Sequence, residues 1–515
     1  MNTAQNTIPV SIRLKDIYVG NADGLKESTD KRFENIFYTG NNKYSQLVNN
    51  KNIFIISGKK GTGKTILAKY FEHECKKNNC PTTMLTDEDL VLRELIEKGN
   101  TETHKKERQF LIKYTIYLEF AKLIYDNLKK IPLFKRMFKY RKDIKYLKSI
   151  IHNRHTSDNF YLSNYSTSTE TSSSYTSGSG AKKSVGVAAF FSKKARNNEY
   201  IINPYYAQIE ALEKSVLNLM EFIQVNIIFD DLDEYDSIIT GNVSFIDFLA
   251  DLITTSYRIN SEIQTRKCKD SRVILLLRSD IIQVLNNSDA NLNKRISDCE
   301  IRLNWLKKTQ SEEIHPLLDL IIMKIKKSNP QLHNIPKKQI LESFFPTHIN
   351  NTPIVNYILH ATFGRPRDVI SMLNTIIAEQ PNRQRFGPKT FTSTRLLYSE
   401  KLQNELRNEM SSYFSPEKIT QTFNLIKIHN KREFWLSEIK ETFNANINNM
   451  TEFTDISEFI RLAYDFGIIG NVWFIDEQNK NRRYSWKYRE DGHDYPDFDK
   501  KFSVHFGLEK SLINS

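Results

Sequence analysis

Gly58-Lys59-Lys60-Gly61-Thr62-Gly63-Lys64-Thr65 is the stretch on which the fold turns. A short apolar run precedes it, residues 52–57 (Asn-Ile-Phe-Ile-Ile-Ser), and residues 64–79 follow with Ile66, Leu67, Tyr70 and Phe71 on one helical face. The first reads as a buried parallel strand ended by glycine, the second as a helix. Strand, Gly-rich loop and helix in that order make a phosphate-binding loop. Gly58, Gly61 and Gly63 let the backbone approach phosphate oxygens with no Cβ in the way. The loop N–H groups, from Lys60 through Thr62 to the helix start, and the helix dipole favour the anion. Lys64 is expected to reach the β- and γ-phosphates, and the Thr65 hydroxyl to ligate magnesium.

Magnesium also needs a carboxylate at the end of a neighbouring strand. Residues 225–229 are such a strand and lead into Asp230-Asp231; residues 273–277 form another and lead into Arg278-Ser279-Asp280. Buried strands separated by helical stretches predict an α/β parallel sheet. Asp230 is the expected magnesium ligand, direct or through water, and Asp231 is placed to polarise an attacking water. Asp233 and Glu234 compete with it for the role of base. Arg278 ends its strand where a side chain either senses the γ-phosphate or simply faces solvent. Arg295, in Asn293-Lys294-Arg295, is a candidate arginine finger for a neighbouring subunit. Arg365 and Arg367 flank Pro366 at a helix start, from which a lid could reach the nucleotide. No Asn-Lys-x-Asp guanine motif occurs, which favours ATP.

The chain has 515 residues, too many for one core, so two to four domains are expected. With 39% hydrophobic and 26% charged residues it reads as globular. The net charge of +13 points to an acidic partner such as nucleic acid, or to solvated lysines. Cys75, Cys80, Cys268 and Cys299 form no C-x-x-C pair and have no His cluster beside them, as for reduced thiols. The N-terminus lacks a signal-peptide pattern, and no apolar run nears the roughly 20 residues of a membrane span. A soluble cytoplasmic protein with no membrane contact is expected.

Four regions follow. Residues 1–48 are a segment packing on the core, and 49–300 an ATPase core with an insertion near 100–200. Within the insertion, residues 164–180 are Ser/Thr-rich with too few apolar residues for a core, and 185–191 read as a returning strand. Residues 301–395 form a helical lid, with helices at 311–327 and 366–379. Residues 396–515 have helices near 416–428, 434–444 and 453–466, then strands at 472–475 and 484–488, the layout of a winged helix.

The motifs quoted, with Phe229-Asp230-Asp231-Leu232-Asp233-Glu234 and Gly364-Arg365-Pro366-Arg367-Asp368, resemble bacterial P-loop ATPases of the DNA-repair-ATPase-like type, related to the STAND and replication-initiator AAA-like groups. Leu303-Asn304-Trp305 and Phe502-Ser503-Val504-His505 are also similar. The resemblance implies an ATP-dependent switch with a helical lid and a winged helix. Such relatives occur in prophages and antiviral defence loci, sometimes beside an effector, so a homo-oligomer and a partner effector encoded nearby are expected. The long insertion departs from a compact AAA core.

Residues 129–148 hold nine Lys or Arg against Asp143 alone, with Phe134, Phe138, Tyr140 and Tyr146 among them. The cations suit phosphates and the rings suit unpaired bases, in DNA or RNA. Ile131, Phe134, Phe138, Ile144 and Leu147 equally have the spacing of a helix core face, and both readings can hold. The third C-terminal helix carries Glu452, Asp455, Glu458 and Asp465 against Arg461, which phosphates would repel; Lys480, Arg482 and Arg483 at the hairpin tip could touch a backbone. An ATPase switch in antiviral defence or a DNA transaction is the first reading, and an ATP-regulated transcription regulator the alternative.

Overall fold

The computed structural model describes residues 12–86, 105–157, 204–230, 232, 243–266, 268, 270–288, 290–306, 314–476, 481–489 and 492–513. Asp231, Asp233, Glu234, Lys480, the run 164–180 and the expected strand 185–191 lie outside the described residues.

Five strands, β1 (Ile55–Gly58), β2 (Thr82–Leu85), β3 (Asn226–Phe229), β4 (Arg272–Arg278) and β5 (Glu300–Arg302), form one sheet in the order β2-β3-β4-β1-β5. Every pairing is parallel. With the Gly-rich loop leaving β1, this is the α/β core of a P-loop NTPase. β2 and β5 escape a reading of the sequence: one starts Thr-Thr, the other is Glu-Ile-Arg, and both lie at sheet edges.

The sheet is covered on both faces, and strand alternation decides which side chain goes where. Val273, Leu275 and Leu277 join Ile227 and Phe229 in a core with the helices Lys105–Asp126, Pro204–Leu219 and Val243–Thr265. Ile274, Leu276 and Ile228 face the other way, onto Leu67, Ala68 and Phe71 of the loop helix Lys64–Lys77. The base of the insertion is thus part of the ATPase core. Its long helix is tied across by Arg108 Nε to Asp251 (3.0 Å) and Lys113 Nζ to Glu213 (2.8 Å).

The C-terminal half begins with helices Pro316–Ser328 and Lys337–Phe344, a hairpin of β6 (His348–Ile349) and β7 (Thr352–Pro353), and helices Ile354–Ala361, Pro366–Glu379, Pro388–Ser393 and Arg395–Met410. Helices Pro416–His429, Leu436–Ala445 and Ile456–Asp465 follow, with β8 (Glu433–Phe434), β9 (Ile469–Asp476), β10 (Asn481–Ser485) and β11 (Lys501–Val504) in an antiparallel sheet of order β10-β9-β11-β8. One apolar core runs through the lid and this last unit, from Leu317, Leu373 and Tyr398 to Phe423, Phe459 and Phe502. Leu14, Ile17 and Val19 of the N-terminal segment join it. The four cysteines are free thiols. Among the described residues no helix is long and apolar enough to cross a membrane.

His505 is buried in that core, stacked on Phe363 at 4.4 Å. Its Nδ1 accepts from Gly507 N–H (3.1 Å), which leaves the proton on Nε2 to donate to Tyr488 Oη (3.0 Å). Burial, with Arg489 nearby, pushes its pKa down to about 3. Burial also lowers His315, His360 and His429. His505 therefore stays neutral when folded and protonates near pH 6.5 when unfolded. Stability that it contributes above pH 6.5 is lost as pH falls toward 3. The urea midpoint should drop between pH 6.5 and 5, His505 contributing about 1 kcal/mol per pH unit. His505→Phe should show a shallower drop, and an equal drop in that variant would contradict a neutral His505.

Candidate nucleotide site

β1 ends at Gly58, and the chain loops through residues 59–63 before entering the helix at Lys64. Gly61 and Gly63 hold φ of +81° and +98°, where a side chain is strained. A Cβ on Gly61 would also lie 3.1 Å from Arg367 Cβ. Lys64 Nζ donates to Gly58 O at 3.2 Å, and Thr62 Oγ1 to Lys59 O at 2.8 Å.

Three consecutive loop carbonyls are held from outside the loop. Arg365 Nη1 donates to Lys60 O (3.1 Å), Arg367 N–H to Gly61 O (3.4 Å), and Trp305 Nε1 to Thr62 O (2.9 Å). In a planar trans peptide the N–H points opposite to the C=O. Holding the Lys60 and Thr62 carbonyls outward therefore turns the N–H groups of Gly61 and Gly63 away from those donors. Thr62 N–H closes a turn on Lys59 O at 3.3 Å.

The loop borders a cleft of about 440 Å³, within the range of small-ligand sites. Thr65 and Lys64 line it with Asp230, which is buried at the end of β3 with its N–H on Leu85 O (2.9 Å). Thr86, after β2, lines it too. The far wall is the N-terminal segment, with Asn21 to Leu25, Phe37, Tyr38, Asn41 and Lys43; Arg367 and Ile370 close the lid side. Glu27 and Lys324 also line the cleft; they are buried and paired with each other, and Glu27 accepts from Asn21 N–H (2.8 Å). Short helices and coil without periodicity hid this wall from a sequence reading. Arg367 is one of the two lid arginines expected from the sequence to reach the nucleotide, whereas Trp305 belongs to the stretch 303–305, which carried a resemblance but no role.

The other arginines lie elsewhere. Arg278 is the register partner of Gly58, but its guanidinium is gripped at both ends by Asp280 (3.1 and 2.7 Å) and stacks 5.2 Å from the Tyr413 ring centre. Tyr413 Oη donates to the same carboxylate at 2.8 Å. Arg365 is buried between Asp368 (2.9 Å) and Glu409 (3.0 Å). Packing around Lys59 lowers its pKa to about 8, Arg365 and Arg302 adding to the effect against Glu409 and Asp280. Arg295 rests 3.5 Å from Thr254 Oγ1 and over the Tyr257 ring, and does not line the cleft.

Loop and sheet together define a P-loop nucleotide-binding protein. Residues 315–407 match the model of a FunZ-associated C-terminal helical domain, which takes in the lid helices as far as Arg395–Met410. None of the curated proteins matches the chain. Among solved structures it is similar to a Walker-type ATPase of Pyrococcus abyssi, at 13% identity and a TM-score of 0.37, over 92% of this chain and 98% of that one. So loose a superposition bears on neither fold nor activity.

If the carbonyl ties shape the loop, Trp305→Phe should weaken nucleotide binding by about fivefold to tenfold, as for one lost hydrogen bond. Gly61→Ala should cost more, because it strains the backbone and displaces Arg367. Titration of both variants with a fluorescent nucleotide reads this; wild-type affinity in both would refute it.

Proposed function

We propose that this chain is a magnesium-dependent ATPase that works as a switch, with the helical lid reading the occupied phosphate loop. The observation that carries this reading is the set of donors from Trp305, Arg365 and Arg367 on three successive loop carbonyls. A loop that shifts to admit phosphates must disturb the residues that hold it. Thr65 and Asp230 supply hard oxygen donors in a cleft otherwise rich in Lys43, Lys60, Lys64 and Arg367, a set that fits magnesium. A magnesium ion held by Thr65 and Asp230 would supply charge neutralisation at the phosphates. Lys64, now on the Gly58 carbonyl, exchanges that contact for the β- and γ-phosphates. Asp231 orients the attacking water, with Glu234 as the alternative base. Arg278 is the link outward: attraction to a γ-phosphate would loosen its grip on Asp280, and with it the anchor of Tyr413.

In this reading the switch serves antiviral defence or a DNA transaction and gates a partner effector. It forms a homo-oligomer in which Arg295 meets the neighbouring subunit. Its support is the resemblance carried by the loop, the Asp230 strand, Arg278 and the residues 364–368. Three helices followed by an antiparallel hairpin support a winged helix at the C-terminus. The acids of Ile456–Asp465 oppose groove reading there: Glu458 is occupied by Lys418 and Asp465 by Lys487 (3.4 Å), which leaves Arg461 as the helix's one cation. That favours a regulatory module over the transcription-regulator alternative, which base-specific DNA binding by this unit would restore.

Lys64→Ala should abolish detectable ATP binding in calorimetry; unchanged affinity would refute the site. Asp231→Asn should keep binding and slow phosphate release by about 100-fold to 1,000-fold. Full turnover in that variant, with loss in Glu234→Gln, would move the base to Glu234.

A further inference from the structure

Between the long helix Lys105–Asp126 and the helix Arg141–Ser157 the insertion makes a tip, and its shape is imposed at both ends. Ile131 and Tyr140 are buried, Tyr140 Oη donates to Glu221 (2.9 Å), and Lys130 Nζ donates to Asn79 O (2.7 Å). Residues 132–139 between these anchors stand clear of the core. On the short helix Leu133–Met137 and the residue after it, Leu133, Phe134, Met137 and Phe138 share one face, and they are 61%, 74%, 56% and 67% exposed. The expected core face here is split: Ile131 and Leu147 are inside, Phe134 and Phe138 outside. The two phenyl rings sit 4.7 Å apart at 38°. Four adjacent apolar side chains held in water by a pinned loop mark a contact surface.

Charge selects the partner. Residues 129–148 carry nine cations and one acid, Asp143, which is turned inward to accept from Ser215 Oγ (3.0 Å) and Asn218 Nδ2 (3.4 Å). Lys135 and Lys139 follow Phe134 and Phe138 in the chain and lie over the Phe222 and Tyr140 rings at the base of the tip (4.7 and 4.8 Å). Arg141, Lys142, Lys145 and Lys148 are exposed and follow one stripe of the next helix, leading about 10 Å away from the tip. A flat anionic membrane would meet the tip but leave the receding stripe beyond contact. A flexible polyanion with aromatic bases meets both.

We infer that this tip and stripe dock single-stranded nucleic acid, bases against Phe134 and Phe138 and phosphates along the stripe. The inference does not depend on ATP turnover, and Lys64→Ala should bind the strand as well as the native chain. The test is fluorescence anisotropy of the full chain with labelled oligothymidylate of about 20 nucleotides, beside the matching duplex and phosphatidylserine vesicles, across a salt series. The single strand should bind more tightly than the duplex. Phe134→Ala with Phe138→Ala should weaken it at least about tenfold with an unchanged salt slope. Arg141→Gln, Lys142→Gln and Lys145→Gln together should flatten that slope by about 0.7 per lost phosphate contact. All these positions are exposed, so thermal melting should stay native. No strand binding, or strand binding indifferent to both variant sets, overturns the inference. Vesicle binding lost in the variants without strand binding assigns the tip to lipid instead.

Discussion

The structure depends on the hydrogen bonds that Trp305, Arg365 and Arg367 give to the carbonyls of Thr62, Lys60 and Gly61. A glycine-rich loop has few side chains to hold its own shape, here Thr62 and Lys64 on the Lys59 and Gly58 carbonyls, and its conformational freedom is costly to remove. Donors from two distant parts of the chain impose that shape instead. One of them, Arg365, is a buried cation and must itself be satisfied; Asp368 on its own helix and Glu409 on Arg395–Met410 do so. Breaking one partner of such a buried network leaves an uncompensated charge. Loop, lid and the last lid helix therefore hold together or loosen together.

A second polar group lies beside the first. Arg278 leaves the sheet next to Gly58, and Asp280 and Tyr413 receive it, Tyr413 standing just before the helix Pro416–His429 of the C-terminal unit. That unit shares its apolar core with the lid, so a displacement at Tyr413 moves into packed side chains rather than a free linker. The N-terminal segment has the matching position on the opposite side: it lines the nucleotide cleft and packs into the same core through Leu14, Ile17 and Val19. Bound nucleotide would thus lie against the N-terminal segment and, at Arg367 and Ile370, the lid.

The insertion divides its labour by burial. Its long helices cover one face of the sheet with Ile116, Tyr117 and Leu212, and its tip carries apolar and cationic side chains outward. A segment that only filled space would have buried Phe134 and Phe138 as it buried Ile131. The rigid base positions the exposed tip relative to the ATPase core.

The phosphate loop, the strands carrying Asp230 and Arg278, and the lid helices Pro316–Ser328 and Pro366–Glu379 were legible in the sequence. Each rests on short-range patterns: apolar runs, glycine spacing and three- or four-residue periodicity. The edge strands β2 and β5 were not legible, because four residues starting Thr-Thr, or three reading Glu-Ile-Arg, acquire strand identity only from a neighbour's hydrogen bonds. Nor was the direction of the arginines. Arg278, Arg295 and Arg365 are all cations near a nucleotide motif in the sequence, and their surroundings separate only in the fold, where Tyr413 joins Arg278 and its neighbour Asp280, Thr254 meets Arg295, and Glu409 meets Arg365. By itself the sequence determined that a glycine-rich loop joins a buried strand to a helix, and which residues compose it. Tertiary structure decided what holds that loop and which side chains share its cleft, because Trp305 and Arg365 donate from 243 and 305 positions away and the far wall is a segment with no periodicity of its own.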